Sequence, residues 1–144
     1  MINRVLVVCV GNICRSPMAE FLFRERIRRA GVVVESAGLS ALVGNPIDPM
    51  AAAVLAEHGI RADTHVARQV SVDMLSAADI VLAMDKRHLS AIHAQAPHAR
   101  GKTFLLGRWE KDAPIPDPYG QPRAAFENVF SMVDVAVESW LRRF

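Results

Sequence analysis

The chain has 144 residues, 51% of them apolar and 22% charged, the balance of a compact globule rather than of a disordered tail. A chain of this length buries about two-thirds of the surface its unfolded form exposes, so residues 1–144 are expected to fold as one domain without a metal or disulfide staple. Seventeen Lys and Arg against fifteen Asp and Glu leave a net charge of +2, too mild to point to nucleic acid or a membrane surface.

Val5–Val10 is a short, mostly β-branched run that reads as a strand buried on both faces. It is too short for a signal peptide, and no stretch approaches the roughly 20 apolar residues of a membrane span. Ser16 and Pro17 read as an N-cap and first helical position, and Gly31 as the stop. Between them Ala19, Leu22, Phe23, Ile27 and Ala30 repeat at helical spacing. Arg24, Arg26, Arg28 and Arg29 are interleaved with Glu25 and Ile27, which describes a solvated helix face. Val32–Ser36 is a second strand. Asp48, Pro49 and Gly59 bracket a second helix, with Met50, Val54 and Leu55 as its buried residues. Ile80–Met84 is a third strand, Lys86–Gln95 a third helix ended by Pro97, and Thr103–Leu106 a fourth strand. A last helix over Arg123–Arg143 carries Phe126, Phe130, Val133, Val137 and Trp140 along one face.

This alternation predicts an α/β fold: one doubly wound domain with a four-stranded parallel sheet and helices on both faces. Ligands in such sheets bind beyond the carboxyl ends of the strands, which directs attention to the residues after Val10. The long segment Gly107–Pro122, rich in proline, is of the kind that usually carries function.

The first strand runs into Cys9-Val10-Gly11-Asn12-Ile13-Cys14-Arg15-Ser16-Pro17. A strand-to-helix loop turns several backbone N–H groups into one concavity at the positive end of the helix dipole, so Val10 through Arg15 make an anion cradle. Gly11 permits close backbone approach, and Asn12 tolerates a left-handed conformation. Cys9 lies at the floor of the cradle, where the same field favours the thiolate, and the Ser16 hydroxyl is placed to donate to its sulfur. Arg15 offers a planar fork for two phosphate oxygens. Thiolate, cradle and fork together describe phosphoryl transfer through a cysteinyl-phosphate. The leaving oxygen needs a proton, and Asp117 in Asp117-Pro118-Tyr119-Gly120 is the candidate acid; Asp79, Asp85 and Asp112 lack its turn context.

Cys9 through Pro17, with Asp117-Pro118-Tyr119 downstream, resembles the low-molecular-weight protein tyrosine phosphatases. The resemblance spans the chain: Ser36-Ala37-Gly38, His65-Val66-Ala67-Arg68-Gln69 and Met84-Asp85 stand in the family's order and approximate spacing. It implies Cys9 as nucleophile, Arg15 as transition-state clamp and Asp117 as acid, then base. It also implies Asn12, Ser16, Ser36 and His65 as the polar residues that hold the phosphate loop. No metal and no organic cofactor are expected, and inorganic phosphate should be product and inhibitor. The animal enzymes carry two tyrosines after Asp-Pro and an aromatic residue on the loop after Ser-Ala. Here Tyr119 precedes Gly120, and Leu42 lies in the corresponding loop. That less aromatic rim resembles the bacterial branch acting on tyrosine autokinases of capsule and exopolysaccharide production, and the protein is expected in the cytoplasm.

Some residues keep two readings. Cys14 is either a small loop filler or a resolving thiol for Cys9, the second favoured by the resemblance. Tyr119 is a substrate wall or a phosphorylation site, the first favoured. Trp109 either lines the site or caps the core. His88 and His93 lack partners at metal-ligand spacing. Of the competing functions, arsenate reduction needs further cysteines, and none follows Cys14. A phosphocysteine carrier would not require Arg15 or Asp117, and a non-catalytic phosphotyrosine reader would not require the full catalytic set.

Overall fold

In the computed structural model, which describes Met1–Phe144, four parallel strands form one sheet: β1 (Arg4–Cys9), β2 (Val33–Gly38), β3 (Ile80–Ala83) and β4 (Thr103–Leu105). Their order is β2-β1-β3-β4, so β1 is central and its carboxyl end lies at the topological switch point. The helices are α1 (Arg15–Arg26), α2 (Pro49–Glu57), α3 (Val72–Ala77), α4 (Lys86–Gln95) and α5 (Arg123–Leu141).

Side chains of β1 alternate between two cores, as the period of a strand demands. Val5, Val7 and Cys9 pack with Leu22 of α1, Val54 of α2 and Phe126 and Val133 of α5. Leu6 and Val8 point the other way, against Leu75 of α3 and Ile92 of α4. Burial on both faces explains why β1 is uniformly apolar, and helices cover both faces as expected.

Several boundaries differ from expectation for local reasons. Helix α1 begins at Arg15, so Ser16 lies inside it; the capping position is Cys14, which makes no side-chain cap. The helix ends at Arg26 because Ile27 already adopts extended backbone, with ψ 125°. Gly31, with φ +84°, serves the following turn instead. Strand β2 runs on to Gly38, while Val10, Met84 and Leu106 lie beyond the strands that were expected to include them. Helix α3 was not foreseen; it has only six residues, capped by the Ser71 hydroxyl, which accepts from Met74 N–H at 3.2 Å. Asp48 caps α2 as expected, accepting from Met50 N–H at 2.8 Å, but Met50 is exposed rather than buried. Trp140 is core, and Trp109 stands edge-on to it at 5.6 Å, beneath the Arg143 guanidinium. Trp109 therefore caps the core.

Gly38 is the point where sheet and loop meet. It pairs with Cys9 across the ladder, and a Cβ there would stand 2.4 Å from the Val10 carbonyl oxygen and 3.0 Å from Ala41 Cα. Both neighbours are backbone, so neither can swing aside. Gly38→Ala should lower stability in urea unfolding by about 1–3 kcal/mol; an unchanged midpoint would contradict this account of the junction.

Candidate active site

The loop from Cys9 to Ser16 is shaped by what its carbonyls do. The oxygens of Cys9, Val10 and Gly11 accept from the N–H groups of Leu39, Ser40 and Leu42 at 2.9–3.0 Å. The Asn12 oxygen contacts His65 Nε2 at 2.6 Å, Ile13 accepts from Asp48 N–H at 2.8 Å, and Cys14 from Met18 N–H at 3.1 Å. In a trans peptide the N–H points opposite to the preceding C=O. Six carbonyls tied outward therefore turn the amides from Val10 to Arg15 inward. Asn12 N–H donates to Cys9 Sγ at 3.3 Å, while those of Gly11, Ile13 and Cys14 have no acceptor in the protein.

Asn12 is the hinge of this arrangement, with φ 59° in the left-handed region that Asn tolerates. Its side chain is fully buried and fully used. Oδ1 accepts from Arg68 N–H at 2.9 Å, and Nδ2 donates to Ser16 Oγ at 2.8 Å and to Ser36 Oγ at 2.9 Å. Ser16 Oγ lies 2.9 Å from Cys9 Sγ. Thus Ser16 is not the helix cap, but its hydroxyl meets the Cys9 sulfur as expected and bridges it to Asn12.

The loop opens on a cavity of about 190 Å³. Cys9, Val10, Gly11, Ile13, Cys14 and Arg15 form its floor and wall, and Ser40, Leu42, Asp117 and Tyr119 its mouth. Leu42 and Tyr119 are both exposed, as rim positions should be. Gln69 holds the Leu42 side: its Oε1 accepts from Ala41 N–H at 2.9 Å and its Nε2 donates to Leu39 O at 2.7 Å. The side chains of Asn12 and Ser16, within the loop, and of Ser36 and His65, outside it, are all buried and do not line the cavity.

Arg15 is only 4% exposed. One arm donates to the Ile115 carbonyl at 2.9 Å, and the other stands 3.8 Å from Asp117 Oδ2. Ile115 N–H in turn donates to Met84 O at 3.0 Å, at the end of β3. The segment that carries Asp117 is therefore docked to the sheet and to the arginine at once. Asp117 Oδ1 accepts from Tyr119 N–H at 3.1 Å, the turn anticipated from Asp-Pro-Tyr. Burial pushes the Cys14 thiol up, the negative charges of Asp48, Cys9 and Asp117 add to this, and Arg15 opposes it.

The sequence pointed to no part in the site for Ile115, Ser40 or Glu20, nor for Arg68, Gln69 and Asp48, which were read only as a motif and a helix start. Most act through backbone atoms or from distant segments. Glu20 had a readable signal, an acid amid the apolar run of α1, four residues after Ser16 and four before Arg24. His88 is nearby as well, buried beside a second cleft that Arg15 and Asp117 also line. No cluster of three His, Cys, Asp or Glu side chains is placed to hold a metal ion.

The family model "Low molecular weight phosphotyrosine protein phosphatase" matches residues 4–144. Among curated proteins, the low molecular weight protein-tyrosine-phosphatase Etp of Escherichia coli K12 is 45% identical over 141 residues, 98% of this chain and 94% of Etp. The crystal structure of the Erwinia amylovora tyrosine phosphatase AmsI superposes with TM-score 0.95 at 40% identity, covering 100% of this chain and 94% of AmsI. Vibrio vulnificus Wzb in complex with benzylphosphonate gives TM-score 0.95 at 38% identity, with 100% of both chains covered.

Burial holds the His88 imidazole below its ordinary value of 6.5, helped by Arg15 and Arg87, while Asp85 and Asp117 pull it up. Its Nδ1 has no hydrogen-bond partner, so the protonated ring would be poorly served in the folded state. The unfolded chain takes up this proton first as pH falls, so stability declines below about pH 6.5. His88→Leu should flatten the decline between about pH 7 and 5 in urea titrations; parallel curves for both proteins would contradict this.

Proposed function

The chain belongs to the low molecular weight phosphotyrosine protein phosphatase family and is a protein-tyrosine phosphatase, and we propose that it transfers the phosphoryl group through Cys9. The observation that carries this reading is the set of inward amides converging over Cys9 Sγ, closed on one side by Arg15. The Cys9 thiolate attacks phosphorus as the tyrosyl oxygen leaves with the proton of Asp117. The equatorial oxygens are held by the loop amides and the Arg15 fork, which are already in place and need no reorganisation. Asp117, now a carboxylate, takes a proton from water as that water attacks the thiophosphate. Cys9 returns as thiolate, Asp117 is reprotonated, and inorganic phosphate is released. The product fits the same cradle, so it inhibits competitively.

Asn12, Ser16, Ser36 and His65 act as the loop's supports. Cys14 is the redox partner: peroxide converts Cys9 to a sulfenic acid, and the Cys14 thiol condenses with it to a disulfide, releasing water. Its own thiol is held protonated by burial, which spares it from direct oxidation. The activity is assigned to the whole of residues 1–144 as one domain.

Leu42 and Tyr119 form the substrate rim, one aliphatic and one aromatic face around an aryl phosphate. Together with the likeness to bacterial relatives such as Etp and AmsI, that rim supports a bacterial tyrosine autokinase of exopolysaccharide or capsule production as the phosphoprotein opposed. Both cysteines are free, and no helix is long and apolar enough to cross a membrane. Those features support work in the cytoplasm, where a catalytic thiol stays reduced.

The test is hydrolysis of p-nitrophenyl phosphate and of phenyl phosphate without added metal. Cys9→Ser should abolish turnover while phosphate still binds within about tenfold. Asp117→Asn should lower kcat by ~10²–10⁴, more for phenyl phosphate, whose leaving group is poorer. Equal losses on the two substrates would remove Asp117 from the acid role, and turnover in Cys9→Ser would remove Cys9 from the nucleophile role.

A further inference from the structure

Helix α1 carries a carboxylate in its buried face. Glu20 is 5% exposed, and its two oxygens are separately engaged. Oε1 accepts the Ser36 hydroxyl at 2.5 Å, and Oε2 pairs with Arg24 NH2 at 2.6 Å. Arg24 is held in turn by the Val34 carbonyl, to which Nε and NH2 donate at 3.1 and 2.9 Å. Burying a carboxylate costs stability unless it is paired and hydrogen-bonded, and Glu20 is both, with one of its two partners, Ser36, also bonded to Asn12.

The proton directions show what it does. Arg68 N–H on Asn12 Oδ1 fixes the amide flip, so the Nδ2 group faces Ser16 and Ser36 and must donate to both. Ser36 can accept from Asn12 without conflict only if its own proton goes elsewhere, and Glu20 is where it goes. Ser16, likewise accepting from Asn12, then has its proton free for Cys9 Sγ. Every donor in the row is thereby oriented, from a carboxylate at one end to the sulfur at the other.

We propose that Glu20 is a positioning residue for the nucleophile: by accepting the Ser36 proton it fixes Asn12, and through Asn12 it commits the Ser16 hydroxyl to Cys9 Sγ. The inference rests on the phosphatase reading only in treating Cys9 as the nucleophile. A glutamine here fails in either orientation. With its oxygen toward Ser36, its NH2 meets the Arg24 donor; with its NH2 toward Ser36, that hydroxyl must turn its proton against Asn12 Nδ2. Either way the grip on Asn12 and Ser16 loosens.

The sign of the effect separates this role from simple electrostatics. Removing a nearby negative charge should by Coulomb's law ease formation of the thiolate. Loss of the Ser16 donor should hinder it. The experiment is the pH dependence of Cys9 alkylation by iodoacetamide, read on the Cys9 peptide by mass spectrometry, in proteins whose folding is checked by circular dichroism. Glu20→Gln should move the half-maximal pH up by about one unit, the size of one loosened charge-assisted hydrogen bond. Ser36→Ala, which cuts the row one residue nearer the loop, should move it the same way. In a Ser16→Ala background Glu20→Gln should add no upward shift. A midpoint that stays or falls in folded Glu20→Gln and Ser36→Ala, or that rises equally with and without Ser16, overturns the proposal. Alkylation does not depend on turnover, so a failure of the phosphatase mechanism itself would appear separately, as a wild-type protein that alkylates normally and hydrolyses nothing.

Discussion

Everything in the site depends on a backbone turned inside out. Over six residues, Cys9 to Cys14, each carbonyl is held outward by a donor from another segment or from the first turn of α1. Peptide geometry then leaves the amides facing one point. That arrangement is unfavourable in isolation, because aligned amides repel and Asn12 must adopt φ 59°. It persists because the outward bonds and the buried Asn12 side chain over-determine it. The anion is therefore met by donors that are already aimed, which is the condition under which electrostatic stabilisation of a transition state is largest.

The rest of the fold serves that loop. Central β1 delivers Cys9 at the switch point, and α1 begins with Arg15, adding the positive end of its dipole. Gly38 lets the end of β2 approach close enough for Leu39 and Ser40 to bond to the loop. The segment bearing Asp117 is tied to β3 by Ile115 and to the loop's arginine by the same residue's carbonyl. Cys9 and Arg15, from one loop, and Asp117, from a distant segment, thus share one frame. Asp117 is exposed at the mouth of the cavity and Cys9 is buried at its floor.

The cradle itself was legible because its parts are contiguous: a strand, a glycine, an asparagine and an arginine before a helix. Asp117 was legible because proline restrains its turn. The sheet was legible because β1 and β3 are apolar on both faces, and α/β alternation leaves few other topologies. What could not be read has a common cause. The Ser16 contact with the Cys9 sulfur was expected, but its link to the Asn12 side chain needed the three-dimensional fold. Arg68, Ser40, Leu42 and Asp48 contribute backbone N–H groups, which carry no residue-type signature. Glycine at position 31 marks a turn, but the helix had already ended where Ile27 extends. Helix α3 is too short for its period to stand out.

The proposed transfer of the phosphoryl group to Cys9 leaves a covalent trace on the protein. Rapid-quench mass spectrometry of the Asp117→Asn protein, mixed with an activated aryl phosphate for milliseconds, tests it most directly. The account predicts a transient population carrying one phosphoryl group on the Cys9 peptide, formed in a burst equal to the enzyme present and decaying more slowly than it forms. Turnover with no phosphorylated Cys9 at any time point, or phosphate found on another residue, would contradict it.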